Sequence, residues 1–384
     1  MRHAATALLV LATLGAPSMV STVLAADEPA KTPAANAVRL QASGATFPQP
    51  LYDRLVVEYE RKNPGVQISY QGVGSGAGIR NITDKIVAFA ASDAPLSKKE
   101  LEALGGPDAV IEFPTCAGGV VPAYQVPGLD KPLNFTGEII ADMYMGKITK
   151  WNDARIAAIN PGVTLPDLAI TPVYRSDGSG TTFVFTNYLS TQSQEFQGSV
   201  GKGKQVTWPV GIGGKGNPGV AAAVQSTAGA LGYVEMNFAM SNNIAFGAVQ
   251  NKEGEFVLAS SDSISAAGDA AAGSMKGTLL TADLWNQPGK GVYPISAFTY
   301  VIYFKDLNNV KTQAEAEAMM GFLWWATHDA QGIAKEMLYA PLSASVREKV
   351  GMALRQTTFQ GSSIQIPGAD AAPTKTTNAE PAKN

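Results

Sequence analysis

The chain has 384 residues and a slight acidic excess, 29 Lys and Arg against 32 Asp and Glu for a net charge of −3, with 45% hydrophobic residues. That length suffices for two domains with sizeable cores, and the acidic balance, with no Lys/Arg cluster, argues against a nucleic-acid partner. One cysteine, Cys116, allows no intrachain disulfide, and two histidines supply no zinc-type ligand set.

Residues 1–25 read as a cleavable secretory signal. Arg2 carries positive charge, residues 4–14 are apolar, and Val23-Leu24-Ala25 suits cleavage after Ala25 or Ala26. The apolar stretch is too short to span a membrane, and no later segment is long and apolar enough. Export without disulfides fits a bacterial periplasm. Residues 26–37 read as a flexible lead and 367–384, rich in Ala, Pro, Thr and Lys, as a disordered tail.

Between these ends strand and helix signals alternate, which predicts an α/β protein with mixed, mainly parallel sheets. A strand over 38–42 runs into Ser43-Gly44-Ala45-Thr46-Phe47 and then a helix over 48–62. Leu51, Leu55 and Tyr59 share one face of that helix, Pro48 suits its first turn and Asn63-Pro64-Gly65 stops it. An alternating strand over 66–70 leads to a glycine-rich loop, 72–78, and a helix carrying Ile79, Ile82 and Ile86 at helical spacing. A short apolar strand over 87–91 ends in Ser92-Asp93-Ala94-Pro95. A strand over 170–174 enters the turn Arg175-Ser176-Asp177-Gly178-Ser179-Gly180-Thr181, and a helix follows from Thr182. Free N–H groups and the positive end of a helix dipole favour an anion at such a turn, and arginine adds a planar fork of donors. Ligands of open α/β sheets collect at the carboxyl ends of strands, where these loops converge.

Other chemistries fit less well. Gly72-x-Gly74-x-x-Ala77 with Asp93 about twenty residues on matches a loose dinucleotide fingerprint, but the export signal argues against it and the arginine turn is left unexplained. The run Gly211-Ile212-Gly213-Gly214-Lys215-Gly216 lacks the Ser or Thr and the spacing of a phosphate-binding P-loop, and reads as a turn into a helix near 220–224. His328 is the sole histidine left after signal removal and reads as a packed or surface residue, so histidine-based nucleophilic catalysis is poorly supplied. Cys116 reads as a small core residue.

Gly44-Ala45-Thr46-Phe47-Pro48, Tyr70-Gln71-Gly72-Val73-Gly74-Ser75-Gly76 and Ala91-Ser92-Asp93-Ala94-Pro95-Leu96-Ser97 carry a family resemblance. Residues 145–153, Arg175 to Phe185, Gly213-Gly214-Lys215-Gly216-Asn217 and Gly232-Tyr233-Val234-Glu235 extend it, in order, over about residues 40–355. The chain resembles the periplasmic phosphate-binding proteins (PstS family) that serve the high-affinity Pst-type ABC transporter.

The resemblance implies a two-lobed periplasmic binding protein with a hinge, one lobe from 38–117 and 293–366 and the other from 118–292. It implies a monomer without cofactor or metal that is not an enzyme, binds inorganic phosphate in the cleft and delivers it to the permease subunits of an ABC transporter. Thr46 and Phe47 would donate backbone N–H groups, with the Thr46 hydroxyl adding a bond. Ser75 would donate from the glycine loop, Asp93 would accept from the phosphate, and Arg175, steadied by Asp177, would pair with the anion. Ser179, Gly180 and Thr181 would donate from a helix start. Physics gives Asp93 a purpose: phosphate near neutral pH carries a proton and sulfate carries none, so a buried carboxylate accepts from the one and faces the other unpaired. Sites built to pair with a ligand hydroxyl reject its analogue by roughly 10⁴-fold. Two alternatives stand beside this one: a secreted phosphatase or phosphotransferase using Ser75, Ser179 or Thr181 as nucleophile, and a binder of sulfate, molybdate or arsenate.

Overall fold

The computed structural model of the protein describes residues 37–129 and 131–369. The expected signal, most of the lead and the tail beyond 369 lie outside them.

β1 (Val38–Gly44), α1 (Gln49–Lys62), β2 (Val66–Gly72), α2 (Ser75–Thr83) and β3 (Phe89–Ser92) follow one another as the alternating patterns predict. α1 buries Leu51, Tyr52, Leu55 and Tyr59 and sets Arg61 and Lys62 in its last turn, where they complement the dipole. α2 departs from expectation. It ends at Thr83, Lys85 takes a left-handed φ of 58°, and Ile86 N–H folds back onto Asn81 O at 2.9 Å. Ile86 is therefore outside the helix and 64% exposed.

The sheet is mixed. Its order is β2, β1, β3, the strand Ser296–Phe304, β4 (Val110–Tyr124), then the strands Ala230–Glu235, Thr171–Arg175 and Ile212–Gly214. Parallel pairs sit at the two ends, β2 with β1 and β1 with β3, and Thr171–Arg175 with both of its neighbours. Antiparallel pairs fill the middle.

β4 joins the two halves. Its residues up to Gly119 pair with Ser296–Phe304, and from Val120 onward it pairs with Ala230–Glu235. All fifteen of its residues are buried, although Pro114, Gly118, Gly119 and Pro122 would each read as strand breakers. Pro114 is accommodated by a register shift: Tyr300 faces Pro114 and Thr299 faces Cys116, so Thr115 is passed over as a bulge. Cys116 is fully buried in the core, as expected, and burial pushes its thiol up. One apolar cluster runs through both halves, with Phe47, Tyr52, Phe89 and Phe113 on one side and Tyr144, Trp151, Tyr188 and Tyr233 on the other.

Candidate functional site

Four loops and one strand end meet between the two half-sheets. The first is Ala45 to Pro48, linking β1 to α1. Ala45 N–H donates to Ala91 O at 2.8 Å, which ties this loop to the end of β3. The Phe47 ring is fully buried against Gly118 of β4, and the Phe47 carbonyl accepts from the Tyr339 hydroxyl at 2.8 Å. Among the described residues no acceptor lies on the N–H of Thr46 or Phe47.

The second loop brings Ser75 to the first position of α2. Gly44 O accepts from Val73 N–H at 2.9 Å and Gly74 N–H at 2.8 Å, hanging this loop on β1. Gly74 needs to be glycine, since its φ is 93° and a Cβ there would strike the Asp177 carboxylate. Ser75 Oγ accepts from Gly180 N–H at 3.0 Å and from Asp93 N–H at 3.4 Å.

Asp93 follows β3 and is 2% exposed. Its Oδ1 accepts from Thr299 Oγ1 at 2.7 Å, beside the register shift in the neighbouring strand. Burial pushes the carboxyl up to about 7, against the lowering effects of that hydrogen bond and of the Arg175 charge.

The third loop holds the arginine turn. Arg175 ends its strand, its N–H donates to Tyr233 OH at 3.0 Å, and its side chain is 1% exposed. Nε and Nη2 grip Asp177 at 2.8 and 2.6 Å, and Nη1 donates to Thr181 Oγ1 at 3.2 Å. Guanidinium has five N–H donors, so one remains on each terminal nitrogen. Burial alone would raise the Asp177 carboxyl, but the Arg175 hydrogen bonds and charge bring it below the usual range. Ser179 caps the helix Gly180–Gln192 by accepting from Thr182 N–H, so the helix begins two residues earlier than its apolar pattern shows. Ser179 N–H goes to Lys204 O at 2.8 Å. Gly180 lies so close to Asp93 that an added Cβ would sit 2.6 Å from Asp93 Cβ and Oδ2.

The fourth loop, Gly214-Lys215-Gly216, opens the helix Gly216–Ser226. Gly216 N–H donates to Asp177 Oδ1 at 3.0 Å, and Asn217 Nδ2 reaches Thr46 Oγ1 at 3.1 Å and Thr181 Oγ1 at 3.2 Å.

Thr46, Phe47, Ser75, Asp93, Arg175, Asp177, Ser179, Gly180 and Thr181 are thus gathered in one place. The residues that sequence reasoning assigned no role are Asn217, Thr299, Tyr233, Glu235 and Tyr339. Asn217, Tyr233 and Glu235 stood in motifs that carried the resemblance, whereas nothing local marks Thr299 or Tyr339. His328 is not among the site's contacts: it stacks on Trp324 with ring centroids 3.9 Å apart.

Several contacts tie the half-sheets together across this place. Gly76 N–H donates to Gly178 O at 2.9 Å, and Lys204 Nζ holds both Glu100 oxygens at 2.6 Å. Tyr339 OH, which donates to Phe47 O, also lies 3.2 Å from Glu235 Oε2. Two acceptors thus compete for one hydroxyl proton. Protonation of Glu235 relieves that competition, and burial pushes its carboxyl up to about 8, against the lowering effects of its Asn237 bonds and of the Tyr339 hydroxyl.

The site's chemistry is a ring of N–H and O–H donors, one arginine and one buried carboxylate acceptor. It can hold a small oxyanion that carries a proton.

Comparison with known proteins agrees with this chemistry. Residues 29–330 match a family model described as a PBP superfamily domain. The phosphate-binding protein PstS of Xylella fastidiosa is 39% identical over 314 residues, covering 82% of this chain and 84% of the relative. The protein of the same name from Pasteurella multocida is 40% identical over 317 residues, covering 81% and 88%. Among solved structures, a putative phosphate ABC transporter substrate-binding protein from Clostridium perfringens, with bound phosphate, superposes with a TM-score of 0.57 at 19% identity, covering 79% of this chain and 100% of that one. The periplasmic phosphate-binding protein PfluDING gives 0.64 at 21% identity, covering 82% and 93%. At those identities the structures establish the two-lobed fold.

Proposed function

The chain belongs to the PstS family of phosphate-binding proteins, and on that premise we propose that it holds inorganic phosphate between its half-sheets and delivers it to the permease subunits of an ABC transporter. The carrying observation is the meeting of Thr46, Phe47, Ser75, Asp93, Arg175, Ser179, Gly180 and Thr181 from separate loops around one buried carboxylate. Thr46 and Phe47 offer backbone N–H groups, Ser75, Ser179 and Thr181 offer hydroxyls, and Gly180 lets the helix start lie against Asp93. Arg175 offers its two remaining N–H groups, and Asp177 keeps that side chain flat and fixed. Asp93 accepts the proton that phosphate carries and sulfate lacks.

We assign residues 38–117 and 293–366 to one lobe and 118–292 to the other. In support, β4 changes pairing partner between Gly119 and Val120, and Ser296 begins the strand that returns. Closure around the ligand would bend the molecule there. The N-terminal segment is read as an export signal to the periplasm, and the protein as a monomer that meets the membrane only through its transporter.

The protein is read as a receptor, not a hydrolase. A nucleophilic hydroxyl needs a base to take its proton, yet the partners of Ser75 Oγ are two N–H donors, as are those of Thr181 Oγ1. Calorimetric titration of anion-stripped protein with phosphate and then sulfate tests the reading. One-to-one binding of phosphate without a sulfate signal is expected, and equal binding of both refutes the role given to Asp93.

A further inference from the structure

Every polar atom of the Asn217 side chain is committed. Oδ1 accepts from Glu235 N–H at 3.0 Å, and that bond settles which way the amide points. Nδ2 therefore faces two hydroxyl oxygens, Thr46 Oγ1 and Thr181 Oγ1. The backbone N–H of Asn217 also donates to Thr46 Oγ1, at 3.0 Å. A hydroxyl oxygen has two lone pairs and one proton. Both lone pairs of Thr46 Oγ1 are taken by Asn217. Those of Thr181 Oγ1 are taken by Asn217 Nδ2 and Arg175 Nη1. Neither oxygen has capacity left to accept, so each can only donate.

Resting on the phosphate reading, we infer that Asn217 is a positioning residue that makes Thr46 and Thr181 obligate hydroxyl donors to the anion. It does so from opposite walls of the cleft at once, since Thr46 lies between β1 and α1 and Thr181 in the helix Gly180–Gln192. Asn217 is fully buried and sits second in its own helix, yet its amide caps nothing there: the first two N–H groups of that helix go to Asp177 Oδ1 and Thr46 Oγ1. The side chain is spent on the two hydroxyls and on the strand that ends at Glu235. The arrangement also rewards closure, because the bonds to Thr46 cross the cleft.

The test is calorimetry of the anion-stripped mature chain with inorganic phosphate. Asn217→Asp keeps the shape but is acceptor-only when ionised. Both hydroxyl protons would turn toward it, and phosphate affinity should fall at least about a hundredfold. Asn217→Ala frees both hydroxyls to rotate and should cost about tenfold. A purely structural role would not couple to the ligand, so Thr181→Val is measured both alone and combined with Asn217→Ala. It should cost about tenfold or more in the wild-type background and no more than about threefold in the Asn217→Ala background. Equal cost in both backgrounds overturns the inference, as does an Asn217→Asp protein that melts normally without ligand and binds phosphate within about threefold of wild type. If Asn217→Asp fails to fold, the Thr181→Val comparison decides alone. A wild-type protein that ignores phosphate overturns the receptor reading itself, a result distinct from every variant outcome.

Discussion

Replacing Asp93 by asparagine isolates the proton filter proposed for it. Thr299 Oγ1 donates to Oδ1, so an asparagine keeps its oxygen there and places its amide nitrogen where Oδ2 stood. The acceptor facing the cleft becomes a donor. Phosphate then loses a charge-assisted hydrogen bond of about 1.5–3 kcal/mol, although it can turn an unprotonated oxygen to the new N–H and recover part of it. Sulfate gains a donor and no longer confronts a buried carboxylate. Taking about 1.4 kcal/mol per tenfold, phosphate affinity should weaken by about tenfold or less while the phosphate-to-sulfate ratio falls by about a hundredfold or more. Calorimetric competition between the two anions at pH 8 measures the ratio directly. The same filter has a pH signature in the wild type. Burial holds Asp93 near 7, so as pH falls through that value the carboxyl takes up a proton and becomes a donor itself. Sulfate binding should therefore strengthen between pH 8 and 5.5 in the wild type and stay level in Asp93→Asn. An unchanged ratio in the variant, or parallel pH profiles, would refute the reasoning.

Arg175→Ala should weaken phosphate binding by about tenfold or more. Arg175→Lys should not restore it, because lysine cannot grip Asp177 with two parallel bonds and still present donors; isothermal titration checks both. Gly180→Ala places a methyl carbon 2.6 Å from Asp93 Cβ and 2.7 Å from its backbone nitrogen, so affinity should fall about ten- to hundredfold while the ligand-free fold survives. Glu235→Gln should alter stability against pH. The folded carboxyl titrates near 8 and the unfolded one near 4.5, so the stabilisation from its bound proton is complete below 4.5 and lost as pH rises to 8. Urea melts of phosphate-free protein should show a wild-type decline over that window, and the variant's decline should be shallower by up to about 1.4 kcal/mol per pH unit; superimposable slopes would count against a neutral Glu235.

What could be read from the chain follows the distance over which each contact forms. Arg175 and Asp177 are two residues apart, and Ser179 caps a helix three residues on, so that turn is legible locally. The strand-loop-helix units around Thr46 and Ser75 likewise declare themselves by periodicity and glycine. Thr299 is 206 residues from Asp93, Asn217 is 171 from Thr46 and Tyr339 is 292 from Phe47. No local pattern encodes those pairs. β4 was hidden for another reason. Its prolines and glycines are turn signals, and only full burial between two partner strands, with a bulge at Thr115, makes them tolerable in a strand. Ile86 misled in the opposite sense, since three isoleucines at helical spacing outran a helix that a left-handed Lys85 had already closed.

The charge balance of the site explains how an acidic protein can hold an anion. Arg175 is positive, and Asp177 lies in two-point contact with it. Asp93 adds a second carboxyl. The formal charge of these three groups is thus zero or negative, depending on the Asp93 proton, and attraction by net charge is not available. What remains is a set of fixed dipoles: the N–H groups of Thr46 and Phe47, the hydroxyls of Ser75, Thr46 and Thr181, and a helix N-terminus capped by Ser179. Dipoles of this kind need not reorganise when the ligand arrives, and bulk salt screens buried groups far less than exposed charges. They also do what a bare cationic pocket could not. A surplus of positive charge would favour every divalent oxyanion alike, whereas neutral donors around one buried acceptor would make the ligand's own proton the deciding feature.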